Sequence, residues 1–113
     1  MHSLRPRIRI LDDDGTIVLG PGKADLLDAI ARTGSIRAAA GELGMSYMRA
    51  WTLVRTMNAA FRKPLVEKVL GRSPQGGAEL TISGRTVLEL YRRIEEKAAR
   101  AAEPLWKKMK EHL

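Results

Sequence analysis

A mainly α fold carrying two small β-hairpins is what this sequence predicts, and three observations predict it. Apolar residues recur at helical spacing in four stretches. Glycines and capping serines stand at the boundaries between those stretches. Two pairs of short β-like runs each bracket a turn-forming segment. At 113 residues the chain has room for one domain with a modest core, and its hydrophobic content of 44 % suits a folded globule.

The elements follow in order. Arg7–Leu11 and Thr16–Leu19 read as strands, and Asp12-Asp13-Asp14-Gly15 between them is turn chemistry, so the chain opens with a hairpin. Pro21-Gly22 breaks the chain. Leu26, Leu27 and Ile30 form the apolar stripe of a first helix that stops at Gly34. Ser35 is an N-cap for a second helix, on which Ile36, Ala39, Ala40 and Leu43 share one face; Gly44 ends it. Ser46 caps a third helix of about fifteen residues. Two helices joined by a short glycine-containing turn make a helix-turn-helix, and the small run Ala38-Ala39-Ala40 suits close approach of the pair.

On the third helix, Ala50, Trp51, Val54, Met57 and Phe61 project to the core side at about 100° per residue, while Met48, Arg49, Thr52, Arg55 and Thr56 project outward. Arginine can donate two hydrogen bonds to a guanine edge, and threonine offers a hydroxyl or a methyl, so this is a groove-reading face. Leu65–Leu70 and Glu79–Ile82 then read as strands around the basic, glycine-rich loop Gly71-Arg72-Ser73-Pro74-Gln75-Gly76-Gly77, which is the position of a wing. Ser83 is the expected cap of a long last helix. There Val87, Tyr91, Ile94, Ala98, Ala101 and Leu105 alternate spacings of four and three, a heptad-like seam. A helix extending from a small domain cannot bury such a stripe alone; pairing with a second copy would, which implies a two-fold homodimer. Pro104 is expected to kink or interrupt this helix. The expected division is residues 1–83 for the winged helix-turn-helix and 84–113 for the dimerisation helix.

Charge is unevenly placed. The formal net charge is +7, and Ser35–Gln75 carries seven basic residues against two acidic ones, whereas Met1–Gly34 balances five against five. The basic surplus therefore coincides with the helix-turn-helix and wing, as a polyanion-binding face requires. From the residues alone, Arg49 in the first turn of the third helix is the leading base contact, with Thr52 and Met48 beside it. Arg55, farther along, and Ser46, at the helix start, are candidates for phosphate. Tyr47 falls towards the core side of the wheel, with its hydroxyl free to reach a phosphate as the alternative. Lys68, Arg72, Ser73 and Gln75 of the wing are expected at the backbone or minor groove. Arg5, Arg7 and Arg9 read as a charged edge strand rather than a binding arm.

Several classes of function are excluded. No apolar run approaches the ~20 residues of a membrane span, and Met1–Arg9 is too polar for a secretory signal. With no cysteine there is no disulfide framework or thiolate metal site, which fits a cytoplasmic location. The three aspartates of the first turn lack the spacing and the closing glutamate of a calcium loop. His2 and His112 have no partner at metal-ligand spacing. Nucleophile elbow, phosphate-binding loop and cysteine nucleophile are all missing from the sequence. No enzyme, metal or cofactor is expected.

Gly34-Ser35-Ile36, Ala39-Ala40, Gly44-Met45-Ser46-Tyr47, Ala50-Trp51, Val54 and Met57-Asn58, followed by Gly71, Gly76-Gly77, Leu80-Thr81, Gly84 and Tyr91, resemble the DNA-binding domain of ModE-type molybdate-responsive regulators. That domain is itself similar to the LysR-type winged helix. The resemblance covers about Gly22 to Ile94. It implies double-stranded DNA as partner, insertion of the third helix into a major groove, and transcriptional regulation by a homodimer. Repression is the expected sign, because no activation surface is visible. Two departures stand out. The family more often has lysine where Met48 stands, which leaves the docking mode in place and the preferred base sequence open. Molybdate-sensing members carry oxyanion-binding domains after the long helix, whereas this sequence ends at Leu113, so direct molybdate binding is not expected. Two other readings stay open here: a protein-docking or scaffolding winged helix, and a nucleoid-type binder without sequence preference.

Overall fold

The computed structural model describes residues 1–71 and 76–113. The order of elements is β1 (Ile10–Leu11), β2 (Ile17–Leu19), α1 (Pro21–Thr33), α2 (Ile36–Glu42), α3 (Tyr47–Ala60), β3 (Val66–Val69), β4 (Gly77–Leu80) and α4 (Ile82–Lys110). This is the expected mainly helical architecture with two antiparallel hairpins, β1–β2 and β3–β4. The molecule is elongated, 56 × 32 × 23 Å, because α4 runs on past the rest.

The acidic turn is self-contained. The Asp12 carboxylate accepts from the backbone N–H of Asp14 (3.1 Å) and of Thr16 (3.0 Å), and the Thr16 hydroxyl donates to Asp14 Oδ1 at 2.7 Å. Hydrogen bonding shared with its neighbours Asp12 and Thr16 holds the Asp14 carboxyl below its ordinary range. The strands it joins are shorter than the sequence suggested, and their register shifts between Ile10 and Leu11. Pro21 does not break the chain but starts α1. It occupies the first helical turn, where the missing N–H costs nothing and the fixed φ suits a helix.

Leu26, Leu27 and Ile30 of α1 are fully buried and form the centre of the core. Gly34 ends α1 at φ 78°, a left-handed conformation that favours glycine. Ser35 caps α2, its Oγ accepting from the Ala38 N–H at 2.8 Å. Ala39 and Ala40 of the alanine run are buried against α1 and α3, while Ala38 is exposed. Gly44, at φ 68°, makes the turn into α3. Ala50, Val54 and Met57 then bury the inner face of α3; Trp51 and Phe61, expected beside them, are only half-buried.

The wing is tied to this core at its base. Val66 pairs with Leu80 and Val69 with Gly77. Leu65, Val66, Ala78 and Leu80 are buried, and the Ala78 N–H donates to the Gly34 carbonyl at 2.9 Å. Glu79–Ile82 was expected as the return strand, but β4 ends at Leu80 and Ile82 already belongs to α4. The cap of α4 is Thr81 rather than Ser83. Its Oγ1 accepts from the Gly84 N–H (2.9 Å) and donates to the Pro64 carbonyl (2.7 Å), a long-range partner that Ser83, inside the helix, does not have. Gly84 lies directly on the backbone of Leu65, where a Cβ would fall 2.0 Å from the carbonyl oxygen.

Two features of α4 differ from expectation. Tyr91 belongs to the monomer's own core: it is 1 % exposed and its hydroxyl donates to the Ile8 carbonyl at 2.7 Å. Burial, and then the nearby Glu95, raise that hydroxyl above its ordinary pKa. Val87 also packs against this core. The unpartnered stripe runs instead through Leu90, Ile94, Ala101, Leu105 and Met109, all exposed. Pro104 does not interrupt the helix, which continues to Lys110. A proline at an exposed position removes one backbone hydrogen bond, and the rest of the turn can hold the helix.

Because the Gly84 contact is with backbone, Gly84→Ala has no flexible neighbour to yield. The variant is expected to lose about 2–3 kcal/mol or more of stability, measured as a fall in urea midpoint at constant slope, with far-UV helicity retained below the transition.

Candidate nucleic-acid interface

The site is built on the first two turns of α3. Ser46 caps that helix, its Oγ accepting from the Arg49 N–H at 3.1 Å, which sets the direction in which Tyr47, Met48 and Arg49 leave the backbone. Met48, Arg49, Thr52, Arg55 and Thr56 are exposed together on the outward face, as the helical projection required, and Met48 is 63 % exposed. Both threonine hydroxyls donate backwards to the helix, Thr52 to Met48 O at 2.8 Å and Thr56 to Thr52 O at 2.9 Å. With the donor used, each turns lone pairs and a methyl outward.

The arginines differ in how they are held. The Arg49 guanidinium is exposed and has no carboxylate partner among the described residues. Arg55 lies over the half-buried Trp51 ring, 5.0 Å from its centroid. Tyr47 is not on the core side: it is 37 % exposed and faces α2, where Arg37 stands 4.6 Å from its ring centroid. Between α2 and the wing a cleft of about 680 Å³ opens, lined by Ser35, Arg37, Tyr47, Lys68, Leu70 and Gly71 among others. Of the wing candidates, Lys68 is exposed on β3 and faces this cleft. Arg72, Ser73 and Gln75 lie outside the described residues.

The acidic groups of α1 and α2 are engaged in ion pairs. Glu42, at the end of α2, is paired with Arg32 at 3.0 Å. Asp25, Asp28 and Glu95 converge on Arg92 at 2.9, 2.5 and 3.0 Å. Arg92 is partly desolvated, which by itself would favour the neutral form. Its hydrogen bonds to Asp28, Glu95 and Asp25 outweigh that and raise its pKa above the ordinary arginine value. α3 carries no acidic residue at all.

Sequence reasoning missed two residues. Arg37 had been counted only as charge, because its proximity to Tyr47 is a contact between helices. Asn58 had been quoted only as part of a motif, yet it clamps the wing to α3. Its Oδ1 accepts from the N–H of Leu65 (2.8 Å) and of Val66 (3.1 Å), and its Nδ2 donates to the Val66 carbonyl (3.0 Å). An asparagine on the last turn of a helix just before a strand is the local signal that could have found it.

The model of bacterial regulatory helix-turn-helix proteins of the lysR family matches residues 23–85, more than half of the chain. The chain belongs to the lysR family. The chain is similar to the molybdenum transport protein ModE of Azotobacter vinelandii, 38 % identical over 89 % of this chain and 37 % of that protein. It is also similar to the molybdenum-pterin-binding protein MopB of Rhodobacter capsulatus, 43 % identical over 73 % of this chain and 30 % of that one. This lysR-family chain therefore spans about a third of the length of the curated relatives it matches. Among solved structures, the CbnR DBD–DNA complex matches with a TM-score of 0.60 and 30 % identity, over 78 % of this chain and 95 % of that one. The ModE-like and LysR-like resemblance read from the residues is thus borne out, and the family is one of regulators rather than enzymes. Among the described residues no helix is long and apolar enough to cross a membrane.

Removing the Asn58 clamp leaves two half-buried N–H groups without their acceptor. Asn58→Ala is expected to cost about 1–3 kcal/mol of stability and to free the wing from α3. Amide hydrogen exchange checks this, with protection lost at Leu65 and Val66 before it is lost in α1.

Proposed function

We propose that this chain binds double-stranded DNA sequence-specifically as a homodimer and regulates transcription, most simply by repression, in the cytoplasm. One observation carries the reading: the outward face of α3 presents Met48, Arg49 and Thr52 to solvent, free of any acid, beside a basic cleft that leads to the wing. The family membership and the likeness to a DNA complex support it.

In this reading α3 lies in the major groove. Arg49 donates to a guanine edge; Thr52, its donor already used, accepts from an exocyclic amine or meets a thymine methyl; Met48 packs on the base beside it. Ser46, Arg55 and the wing hold the backbone, with Lys68 and, in the loop, Arg72, Ser73 and Gln75 as the wing's contacts, while the Tyr47 ring stands beside them against Arg37. Two copies join through α4, where Ile94, Ala98, Ala101 and Leu105 of the expected seam combine with Leu90 and Met109, and Tyr91 stays in the core. A two-fold dimer implies a palindrome with half-sites about 10 base pairs apart or a multiple of that.

The test is selection from random-sequence duplex DNA at near-physiological salt, with the intact chain beside Arg49→Ala. Enrichment of a palindrome, relaxed at one position per half-site in the variant, is the expected outcome. Binding without enrichment would replace the reading with a general DNA binder, and no binding would favour a protein-docking role. For the dimer, Ile94→Arg with Leu105→Arg is expected to give a folded monomer by analytical ultracentrifugation whose operator affinity falls at least tenfold; an unchanged dimer mass would remove α4 from the interface.

A further inference from the structure

We infer that Arg37 of α2 is a DNA-phosphate contact, set in place by Tyr47 of α3, and that with Lys68 of β3 it forms a clamp for the backbone strand that passes between the helix-turn-helix and the wing. The inference rests on the DNA-binding reading above and names a part of the interface beyond the recognition helix.

The geometry carries it. Arg37 is exposed in the first turn of α2, and its guanidinium carbon lies 4.6 Å from the centroid of the Tyr47 ring. That ring projects from the first residue of α3, directly after the Ser46 cap that orders the backbone of the helix start. A guanidinium resting on a ring keeps its N–H edge for a ligand, and the contact narrows the rotamers of a long side chain before binding. No carboxylate competes: Arg37 has no ion pair among the described residues, and Glu42, the one acid on α2, is engaged by Arg32. Across the cleft stands Lys68, also without a carboxylate partner among the described residues. Among the described residues, those lining this cleft include no acid. Two unpaired cations facing one groove of about 680 Å³ between a recognition helix and a wing fit a polyanion strand. Arg37 contributes position and affinity rather than base preference, because a phosphate carries no sequence. Tyr47 acts through Arg37 and is a positioning residue.

The experiment measures the affinity of the intact protein for its selected duplex between about 50 and 300 mM salt, for wild type, Arg37→Ala, Lys68→Ala, Tyr47→Leu, Tyr47→Phe and the double variant Arg37→Ala with Tyr47→Leu. Thermal melts confirm folding of each. Loss of one phosphate contact lowers the slope of log K against log salt by about one. That drop is expected for Arg37→Ala and for Lys68→Ala, with the selected base sequence unchanged. Tyr47→Leu should lose part of the Arg37 contribution, Tyr47→Phe should restore most of it, and Arg37→Ala should cost less in the Tyr47→Leu background than alone. An unchanged slope for a folded Arg37→Ala that still binds overturns the clamp and leaves the DNA-binding reading standing. Additive effects of Arg37 and Tyr47 overturn the positioning role. A wild-type protein that binds no duplex overturns both the clamp and the reading beneath it.

Discussion

The contact between Gly84 and the Leu65 backbone fixes how the parts of this domain stand relative to one another. Only a residue without Cβ lets the first turn of α4 rest on that carbonyl. Around the contact the backbone is fully used. The Leu65 carbonyl accepts from the Thr81 N–H at 2.9 Å, and the Leu65 N–H is taken by Asn58. The Thr81 hydroxyl bridges the Pro64 carbonyl and the Gly84 N–H. Three elements, the end of α3, the base of the wing and the start of α4, therefore meet within a few residues. An error of a few degrees here would be magnified along α4, because a helix of 29 residues carries it over about 40 Å.

The electrostatics are arranged by the same economy of position. Exposed ion pairs add little stability, and Arg92, about a third exposed, is no exception for any one of its partners. What its network does is orient. It fastens α4 to α1 through Asp25 and Asp28 and gathers three carboxylates on the flank where α1 meets α4. Glu42 is likewise occupied by Arg32. Among the described residues the positive charge of Arg37, Arg49, Arg55 and Lys68 has no ion-pair partner, and that residual potential is what a phosphate backbone would neutralise.

Most of the helix-turn-helix was legible in the sequence because its determinants are local. Gly34 and Gly44 sit where a positive φ is needed, Ser35 and Ser46 bond to the third residue after them, and the helical period sorted the outward face of α3 without knowledge of the rest. What the sequence left illegible is tertiary. Periodicity marks Tyr91 as apolar-facing but cannot tell a core from a partner helix, and the distant Ile8 carbonyl decided it. Thr81 and Ser83 are equivalent caps on paper, and Pro64 chose between them. The wheel put Tyr47 inward because it assumes a uniform neighbour along α3, whereas at this end the ring faces Arg37 of α2. Asn58 acts on residues seven and eight positions away, beyond any pattern of helix or strand.

The three arginines proposed for the interface would divide the cost of binding unequally. Ordering a free arginine side chain costs up to about 2 kcal/mol of rotamer entropy. Arg37 and Arg55 rest on rings in the unbound protein, so part of that loss is already taken in folding and their contacts cost less to form. Arg49 is exposed and has no ring or carboxylate partner among the described residues, so its ordering is left to binding. For a phosphate, the position of which is the same at every base step, a pre-set side chain suffices on any sequence. For a base edge, only the correct base repays the ordering of a free one with two hydrogen bonds, and a wrong base leaves the cost unmatched. On the proposed reading, the stacked arginines would supply affinity that is indifferent to sequence, and the unstacked one would discriminate. The division follows from where Tyr47 and Trp51 stand on α3: each ring has an arginine within reach, and neither holds Arg49.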